Sequence, residues 1–405
     1  MATGGSSPEL NLDNLRVLKV LGRGAMGTVF LVRNISPSSS SSSSGLFALK
    51  VFDKSSAISK LDSDRRARWE LSVLSSLSRS STNGYHPFLP HLIGSFETED
   101  LLGWAIPYCP GGDLNAIRYR QADRVFSPAV IKFYLAEITC ALEHLHSGGI
   151  AYRDLKPENV LIQQSGHITL SDFDLSRHFN QKKVRSLMLD AGGSQPKNHR
   201  KRITGFISSA GDAKVLLNLK KAKSARVNPV NRRRQSFSDG DRSNSFVGTE
   251  EYLPPEIVRG EGHEFAVDWW ALGVLAYEML YGTSPFKGKN RKETFRNVLM
   301  NPPEFIGKPT PLMDLIGSLL EKDTVRRLGY LRGASEIKEH PFFEGVKWNL
   351  LTEVVRPPFI PSRDDASVEI MTSTGVDIRD YFHRQRTPPP SPSKECRRSM
   401  SFTEF

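Results

Sequence analysis

The sequence predicts an α+β fold of two lobes, a small β-rich lobe followed by a larger helical lobe. The chain has 405 residues, which is more than one ordinary hydrophobic core accommodates and fits two lobes with extensions. Apolar and polar residues alternate over 15–21 and over 28–32, which indicates two strands. Apolar residues in 133–146 follow helical spacing instead, and 265–282 is interrupted only by two acidic residues, which is typical of a buried helix.

A glycine-rich turn joins the first two predicted strands through Gly22, Gly24 and Gly27. This G-x-G-x-x-G pattern is weak evidence when it stands alone, and a dinucleotide-binding turn would be followed by a helix. Because a strand follows here, the pattern favours a flap that folds over the phosphates of ATP. The serine run at 38–44 then predicts a flexible loop between strands.

A lysine and a glutamate form the next candidate pair. Lys50 ends the stretch 47–50, which resembles a V-A-I-K strand motif and so implies a third strand, although a lysine in a strand is by itself usually solvated. Glu70 is the only acidic residue in the predicted helix 65–74. The family resemblance described below implies an ion pair between a strand lysine and a helix glutamate, and Glu70 is the candidate partner of Lys50 in that pair.

Two polar clusters follow at a fixed spacing. Asp154 and Asn159 lie in the stretch 152–159, and Asp172 comes thirteen positions after Asn159 in the triplet 172–174. Phosphoryl transfer needs mainly positioning and neutralisation of charge, and carboxylate and amide oxygens suit Mg²⁺. The oxygen-bearing side chains in these clusters suit a magnesium site, and the role of proton acceptor for Asp154 is implied by the resemblance that follows.

The stretch 152–159 resembles the H-R-D-x-x-x-x-N catalytic loop of protein kinases, with Tyr152 in place of histidine. The triplet 172–174 resembles their D-F-G motif, with Asp174 in place of glycine. This resemblance implies the two-lobed protein-kinase fold, with ATP and Mg²⁺ as cofactors and proteins as substrates. The catalytic residues it implies are Asp154, Lys156, Lys50 and Glu70, and the implied metal ligands are Asn159 and Asp172.

Residues 104–114 look like the hinge between the two kinase lobes, which takes the adenine base. By this resemblance the backbone of Pro107 and Cys109 faces the base. Pro107 departs from the usual acidic residue, but a backbone carbonyl is all that the adenine amino group needs. The implied ATP-binding set is Leu21, Gly22, Gly24, Gly27, Val29, Ala48, Lys50, Pro107 and Cys109.

Regulatory residues are also implied by the resemblance. Ser245 occupies the position at which AGC-group kinases are phosphorylated, and Arg153 is the natural counter-ion of such a phosphate. Glu256 is expected to pair with Arg327.

The C-terminal region resembles the tail of AGC-group kinases, with R-P-P-F-I-P at 356–361 and an F-x-x-F motif formed by Phe402 and Phe405. Two exposed aromatic residues are unfavourable unless they fill a pocket. The pocket is expected either on the chain's own N-lobe or on an upstream phosphoinositide-dependent kinase.

The positive charge of the chain sits in one segment, the insertion 176–244. Residues 181–234 contain 15 Lys and Arg against two acidic residues, Asp190 and Asp212, whereas the whole chain carries a net charge of +11. Three readings stay open: binding of a nuclear import factor or other acidic partner, attraction to anionic lipid, or a merely solvated loop. Specific nucleic-acid binding is not expected, because the segment lacks interleaved aromatic residues.

The D-F-D triplet and the long basic insertion are what plant AGC kinases of the eighth subgroup carry, and the serine run and short N-terminus look most like the UNICORN-like members. The resemblance implies a serine/threonine kinase in growth signalling, acting on serines in basic contexts. The domain prediction is a disordered lead at 1–14, a kinase domain at 15–343 and an AGC tail at 344–405. Within the kinase domain, the N-lobe is predicted at 15–106 and the C-lobe at 107–343.

Three widely spaced cysteines and the lack of an apolar leader or span predict an intracellular protein, and a monomer is expected. Cytoplasm and nucleus are the expected locations, with the membrane periphery as a further one if the insertion binds lipid. A pseudokinase or scaffold is the alternative function, because Asp174 replaces the glycine that lets the triplet change conformation. The complete set of catalytic residues argues for an active enzyme.

Overall fold

The computed structural model describes residues 9–24, 26–35, 45–55, 60–79, 85–179, 249–354, 356–361 and 375–386. The chain divides into two compact units, residues 178–241 and the remainder, and the remainder carries the lobes. The predicted regulatory residues Ser245, Phe402 and Phe405 lie outside the described residues, as does the basic insertion from 180 onward.

The N-terminal lobe is built on an antiparallel sheet of five strands. These are β1 (Leu15–Gly24), β2 (Gly27–Asn34), β3 (Leu46–Asp53), β4 (Gly94–Glu97) and β5 (Leu101–Pro107). Their spatial order is β1-β2-β3-β5-β4. The strands predicted over 15–21, 28–32 and 47–50 lie within β1, β2 and β3, so these predictions are confirmed.

Helices dominate the second lobe, and short strands β6 (Ile150–Ala151), β7 (Val160–Ile162), β8 (Ile168–Leu170) and β9 (Arg177–His178) lie beside them. The helices of the described residues are α1 (Lys60–Arg79), α2 (Leu114–Arg120), α3 (Pro128–Ser147), α4 (Pro255–Val258), α5 (Ala266–Tyr281), α6 (Arg291–Met300), α7 (Pro311–Leu319), α8 (Ala334–Lys338), α9 (Leu351–Val354) and α10 (Ile378–Arg386). Helices α1 and α10 belong to the N-terminal side of the fold.

Local sequence signals explain where the two central helices begin and end. Helix α3 starts with Pro128 in its first turn, and the Ser127 side chain accepts a hydrogen bond from the Val130 N–H. Helix α5 is buried almost all round and ends at Gly282, whose φ of 75° is the left-handed conformation that suits glycine. Helix α3 was predicted from its apolar spacing and helix α5 from its long apolar run. In the described part of the chain, no helix has the length and apolar character needed to cross a membrane.

Each face of the five-stranded sheet is covered by a different helix. Helix α1 and residues of the larger lobe join the main core on one face. On the other face, Phe30 of β2 and Leu49 of β3 pack with Ile378 and Phe382 of α10. The Phe30 ring lies edge-on to Phe382, with ring centroids 5.9 Å apart.

The predicted disordered lead at 1–14 is wrong for the residues that the structure describes there. Residues Leu12–Asn14 form a 3-10 turn, and Leu12 is buried against the sheet. The Leu10 N–H donates to the Ser95 carbonyl at 2.9 Å. The apolar side chains of Leu10 and Leu12 cover the sheet, which orders this segment.

Candidate active site

The glycine-rich turn closes the β1–β2 hairpin, in which Gly22 pairs with Val29 and Gly24 with Gly27. Gly27 has a φ of 124°, and a Cβ there would lie 2.3 Å from the Val51 carbonyl oxygen. Only glycine fits that position. A Cβ at Gly22 or Gly24 would meet no atom within 4 Å, so these two glycines border open space.

Three predicted ATP-binding residues share one face of the sheet. Val29 pairs directly with Lys50 between β2 and β3, and Ala48 pairs with Ile106 between β3 and β5. Directly opposite residues point to the same side of a sheet, as do residues two apart on one strand. Val29, Ala48 and Lys50 are therefore brought together. Leu21 lies at an irregularity of β1 and is 38% exposed.

The predicted hinge continues from the end of the same sheet. Pro107 is the last residue of β5 and pairs with Phe47, next to the Ala48–Ile106 pair. The Cys109 carbonyl accepts the Gly112 N–H at 3.4 Å. The backbone at 107–109 thus follows directly from the strand that faces Ala48.

Lys50 bridges helix α1 and the 172–174 triplet. Its Nζ lies 2.7 Å from Glu70 Oε2 and 2.8 Å from Asp172 Oδ1. Burial alone lowers the pKa of Lys50, but the two carboxylates outweigh burial and hold its pKa above the ordinary value. Burial raises the pKa of Glu70, and Lys50 opposes that rise. The predicted ion pair of Lys50 with Glu70 is present, and Lys50 keeps its charge.

The Asp154 carboxylate is buried and is held by two other predicted site residues. Lys156 Nζ donates to its Oδ2 at 2.7 Å, and Asn159 Nδ2 donates to the same oxygen at 2.8 Å. Burial raises the pKa of Asp154, while the bonds from Lys156 and Asn159 oppose the rise. Because the Asn159 amide nitrogen is used by Asp154, its oxygen is left to face other ligands.

Asp268 holds the backbone of the catalytic loop from below. Its carboxylate accepts the Tyr152 N–H at 2.8 Å and the Arg153 N–H at 2.7 Å, and it also lies 2.8 Å from His146 Nε2. Arg153 has a φ of 70°, a strained conformation for a residue with a side chain. The hydrogen bonds that Asp268 accepts hold this strained turn in place and so fix the orientation of the Asp154 side chain.

The residues around Asp172, the predicted metal ligand, are also fixed from two sides. Ser171 N–H donates to the Asn159 carbonyl at 2.9 Å, so the predicted metal ligands Asn159 and Asp172 lie on adjacent segments. The Tyr152 hydroxyl donates to the Ser171 carbonyl. Burial alone raises the pKa of Asp172, but Lys50 outweighs burial and holds it below the ordinary value. Asp172 is therefore ionised, which is the state that its predicted role as a metal ligand requires.

Asp174 is accommodated without backbone strain. In the described residues, the non-glycine residues with positive φ are Arg124, Arg153 and Asp172, so Asp174 does not adopt a conformation that needs glycine. Its side chain is 3% exposed and accepts a hydrogen bond from Arg66 Nη2. The replacement of glycine by aspartate therefore adds a contact.

Comparison with known proteins decides the family. The chain matches the protein kinase domain family over residues 15–193 and 232–343. It belongs to the protein kinase family. This kinase is 57% identical to the serine/threonine-protein kinase UCNL of Arabidopsis thaliana, over 99% of this chain and 98% of that protein. It is 56% identical to the kinase UCN of the same plant, over 98% of this chain and 96% of that protein. The kinase OXI1 of that plant is 43% identical, over 89% of this chain and 82% of that protein.

These relatives confirm the predicted kinship with plant AGC-group serine/threonine kinases, the two-lobed kinase fold and the serine/threonine kinase activity. Nothing in them favours the pseudokinase alternative. Protein kinases generally use ATP and Mg²⁺ and act on protein substrates.

Sequence reasoning missed two contacts of the kinase site. Arg66, which bonds Asp174, lies four residues before Glu70 and therefore on the same face of α1. That spacing was a signal that could have found it. Trp69 Nε1 donates to Ser176 Oγ at 3.0 Å, and no local pattern indicates this bond.

Proposed function

We propose that this kinase is an active enzyme whose transfer step rests on Asp154, Lys156, Lys50 and Glu70. The observation that carries the proposal is the double ion pair of Lys50, 2.7 Å from Glu70 and 2.8 Å from Asp172. Lys50, helix α1 and the triplet must come together before a kinase transfers phosphate. In this kinase the three are already joined.

Asp154 is the proposed acceptor of the proton that leaves the substrate hydroxyl. It sits beside Lys156 and Asn159, and a well-placed base contributes about 10²- to 10⁴-fold to the rate. Lys156, a cation next to the base, is proposed to steady the phosphoryl group that is transferred. Its present bond to Asp154 is 2.7 Å long, so it lies within reach of the reacting oxygen.

Mg²⁺ fits the oxygen atoms of Asp172 and Asn159. The former is an ionised carboxylate and the latter an amide oxygen, and Mg²⁺ in proteins commonly takes one or two such ligands together with substrate phosphates and water. When bound, the ion neutralises charge on the phosphate oxygens. The chain's own part is to hold both ligands still, through the Ser171–Asn159 bond of 2.9 Å.

ATP is proposed to lie between the glycine turn and the hinge. The open space at Gly22 and Gly24 takes the phosphates, and the shared face of Val29 and Ala48 covers the base. The carbonyl of Pro107 and the N–H of Cys109 are the proposed partners of the adenine edge.

Phosphorylation of Ser245 is proposed to act through Arg153. Burial and, to a smaller extent, the neighbouring Arg177 lower the pKa of Arg153 to about 10, and Asp268 opposes them. A phosphate close to Arg153 would bring an opposite charge, which favours the charged guanidinium. Phe402 and Phe405 are proposed to engage an upstream phosphoinositide-dependent kinase, with the chain's own N-lobe as the alternative pocket.

The remaining partners are proposed from composition. The basic insertion fits an import factor or an anionic lipid surface, which would place the kinase in cytoplasm and nucleus or at the membrane periphery. Substrates with basic residues near the serine suit the acidic side chains of Asp113, beside the hinge, and Glu158, in the catalytic loop. Asp113 also caps α2 by accepting the Ala116 N–H at 2.7 Å. We also propose that the kinase acts as a monomer in growth signalling and that it does not bind nucleic acid specifically.

The test is phosphate transfer from labelled Mg·ATP to a basic serine peptide by the purified kinase. Asp154→Asn and Lys50→Met should each lower kcat by about 10²-fold or more, since they remove the base and the bridge. Lys54→Met is the matched control, because Lys54 lies on the same segment but pairs with Glu97 at the surface. Phosphate transfer that survives in Asp154→Asn would show that Asp154 is not the base.

A further inference from the structure

Besides the link that Lys50 makes between Glu70 and Asp172, two side chains of helix α1 bond directly to the segment that begins with the triplet 172–174. Arg66 Nη2 donates to Asp174 Oδ2, and Trp69 Nε1 donates to Ser176 Oγ at 3.0 Å. The Ser176 hydroxyl in turn donates to the Phe173 carbonyl at 2.6 Å. One helix therefore holds both the side chain of Asp174 and, through Ser176, the backbone of the triplet.

The bond between Arg66 and Asp174 joins a sheltered carboxylate to a partly accessible cation. The Asp174 side chain is 3% exposed and that of Arg66 is 33% exposed. A carboxylate taken out of water is strongly unfavourable unless it is paired and hydrogen-bonded. The pair therefore persists only while α1 stays against the triplet.

The Arg66–Asp174 pair joins the same two elements that Lys50 joins. Arg66 and Glu70 are four residues apart on one face of α1, and Asp172 and Asp174 are two apart in the triplet. Lys50 joins Glu70 to Asp172, while Arg66 joins the helix to Asp174 directly. The two links close a ring between the same two elements.

We propose that Asp174 is a positioning residue that, through Arg66, fastens helix α1 to the metal-binding triplet and so keeps Glu70 on Lys50. A glycine at 174 has no side chain with which to form this link. The inference rests on the proposed roles of Lys50, Glu70 and Asp172. On this inference, the aspartate that replaces the glycine of the D-F-G pattern helps to assemble the site and does not inactivate it.

A double-mutant cycle on the full-length kinase tests the pair. Asp174→Gly, Arg66→Ala and the double variant are compared for kcat, for KM of ATP and for amide hydrogen exchange of α1, all well below the unfolding temperature. Each single variant should lower kcat by about 10-fold or more, because a displaced Glu70 mispositions the phosphates. Protection of the α1 amides should fall in parallel.

The double variant should be no worse than the poorer single variant, since either change alone breaks the same link. Arg65→Ala is the matched control: Arg65 is the next residue on α1, but it pairs with Asp62 at 2.8 Å and both side chains are 55% exposed. It should keep the parent kcat and protection. If Asp174→Gly does not fold, Arg66→Ala still tests the link, because its side chain is a third exposed.

Parent kcat and parent α1 protection in folded Asp174→Gly or Arg66→Ala would overturn the inference, and so would strictly additive losses in the double variant. Asp154→Asn, assayed alongside, separates this failure from failure of the proposed function. An inactive Asp154→Asn beside a fully active Asp174→Gly rejects only the positioning role. An active Asp154→Asn rejects the proposed base, whatever Asp174→Gly does.

Discussion

At the scale of single residues, the clearest stabilising contact is the ion pair of Glu256 and Arg327. Arg327 Nη1 and Nη2 donate to the two carboxylate oxygens at 2.7 and 2.9 Å, and both side chains are almost fully buried. The guanidinium also donates to the carbonyls of Ala266 and Glu321, each at 3.0 Å. This two-point geometry satisfies both charges inside the larger lobe. The pairing was expected from the sequence and is confirmed.

Arg327→Ala should lower the free energy of unfolding by about 3–5 kcal/mol, because it leaves the Glu256 carboxylate buried without a partner. Urea denaturation of the two proteins measures the loss. Arg326→Ala is the control: its side chain is 72% exposed, and its removal should change stability by no more than about 0.5 kcal/mol. Equal losses in the two variants would mean that the buried pair does not carry the effect.

At the scale of secondary-structure elements, the tail helix α10 shows how a polar sequence can complete a core. Of its residues, Ile378 and Phe382 are buried in the cluster of the five-stranded sheet, with Tyr381 packed against them. These three positions follow the i, i+3, i+4 spacing of a helix face. The Phe30 ring of β2 lies 4.8 Å from that of Tyr381, edge-on.

Phe382→Ala should destabilise the kinase by about 3–5 kcal/mol, because it removes a buried aromatic ring and leaves a cavity. The midpoint of urea unfolding reports the change. Asp380→Asn, on the exposed side of the same helix, should leave the midpoint nearly unchanged. A Phe382→Ala midpoint equal to that of the parent would show that α10 is not part of the stable fold.

Elements whose signal is local were predictable, and contacts between distant segments were not. Alternation and the glycine turn predicted β1 and β2, apolar spacing predicted α3, and a long apolar run predicted α5. The residues of the candidate site were predicted from motif spacing, and the structure brings Lys50, Glu70 and Asp172 together. The bond from Arg66 to Asp174 joins residues 108 apart: the spacing of Arg66 and Glu70 places Arg66 on the site-facing side of α1, but it does not specify Asp174 as the partner. The docking of α10 depends likewise on a sheet face formed hundreds of residues earlier.

At the scale of the whole molecule, the described parts of the tail contact both lobes. Near the larger lobe, the Phe359 ring lies 5.9 Å from Phe126 and 6.5 Å from Tyr134. Gly166 makes room for this segment, since a Cβ there would lie 2.5 Å from the Phe359 carbonyl oxygen. On the N-terminal lobe, Val376 pairs with Val17 of β1, and α10 follows directly. The tail therefore ties the two lobes along one continuous chain.

This tail also reaches the glycine-rich turn. Arg23, between Gly22 and Gly24, donates to the Tyr381 hydroxyl at 2.6 Å and lies 5.9 Å from its ring centre. The tail helix therefore contacts the glycine-rich turn directly.

Tyr381→Phe removes the hydroxyl but keeps the ring against Phe30. The stability of the kinase should therefore change little, while the glycine-rich turn loses its hydrogen bond to the tail. KM for ATP should rise about two- to fivefold, a modest change because the bond is exposed. Arg23→Ala should give a similar rise, and the double variant no more than either. Tyr119→Phe, an exposed tyrosine on α2, serves as the control. An unchanged KM in Tyr381→Phe would show that the tail helix stabilises the lobe without acting on the nucleotide turn.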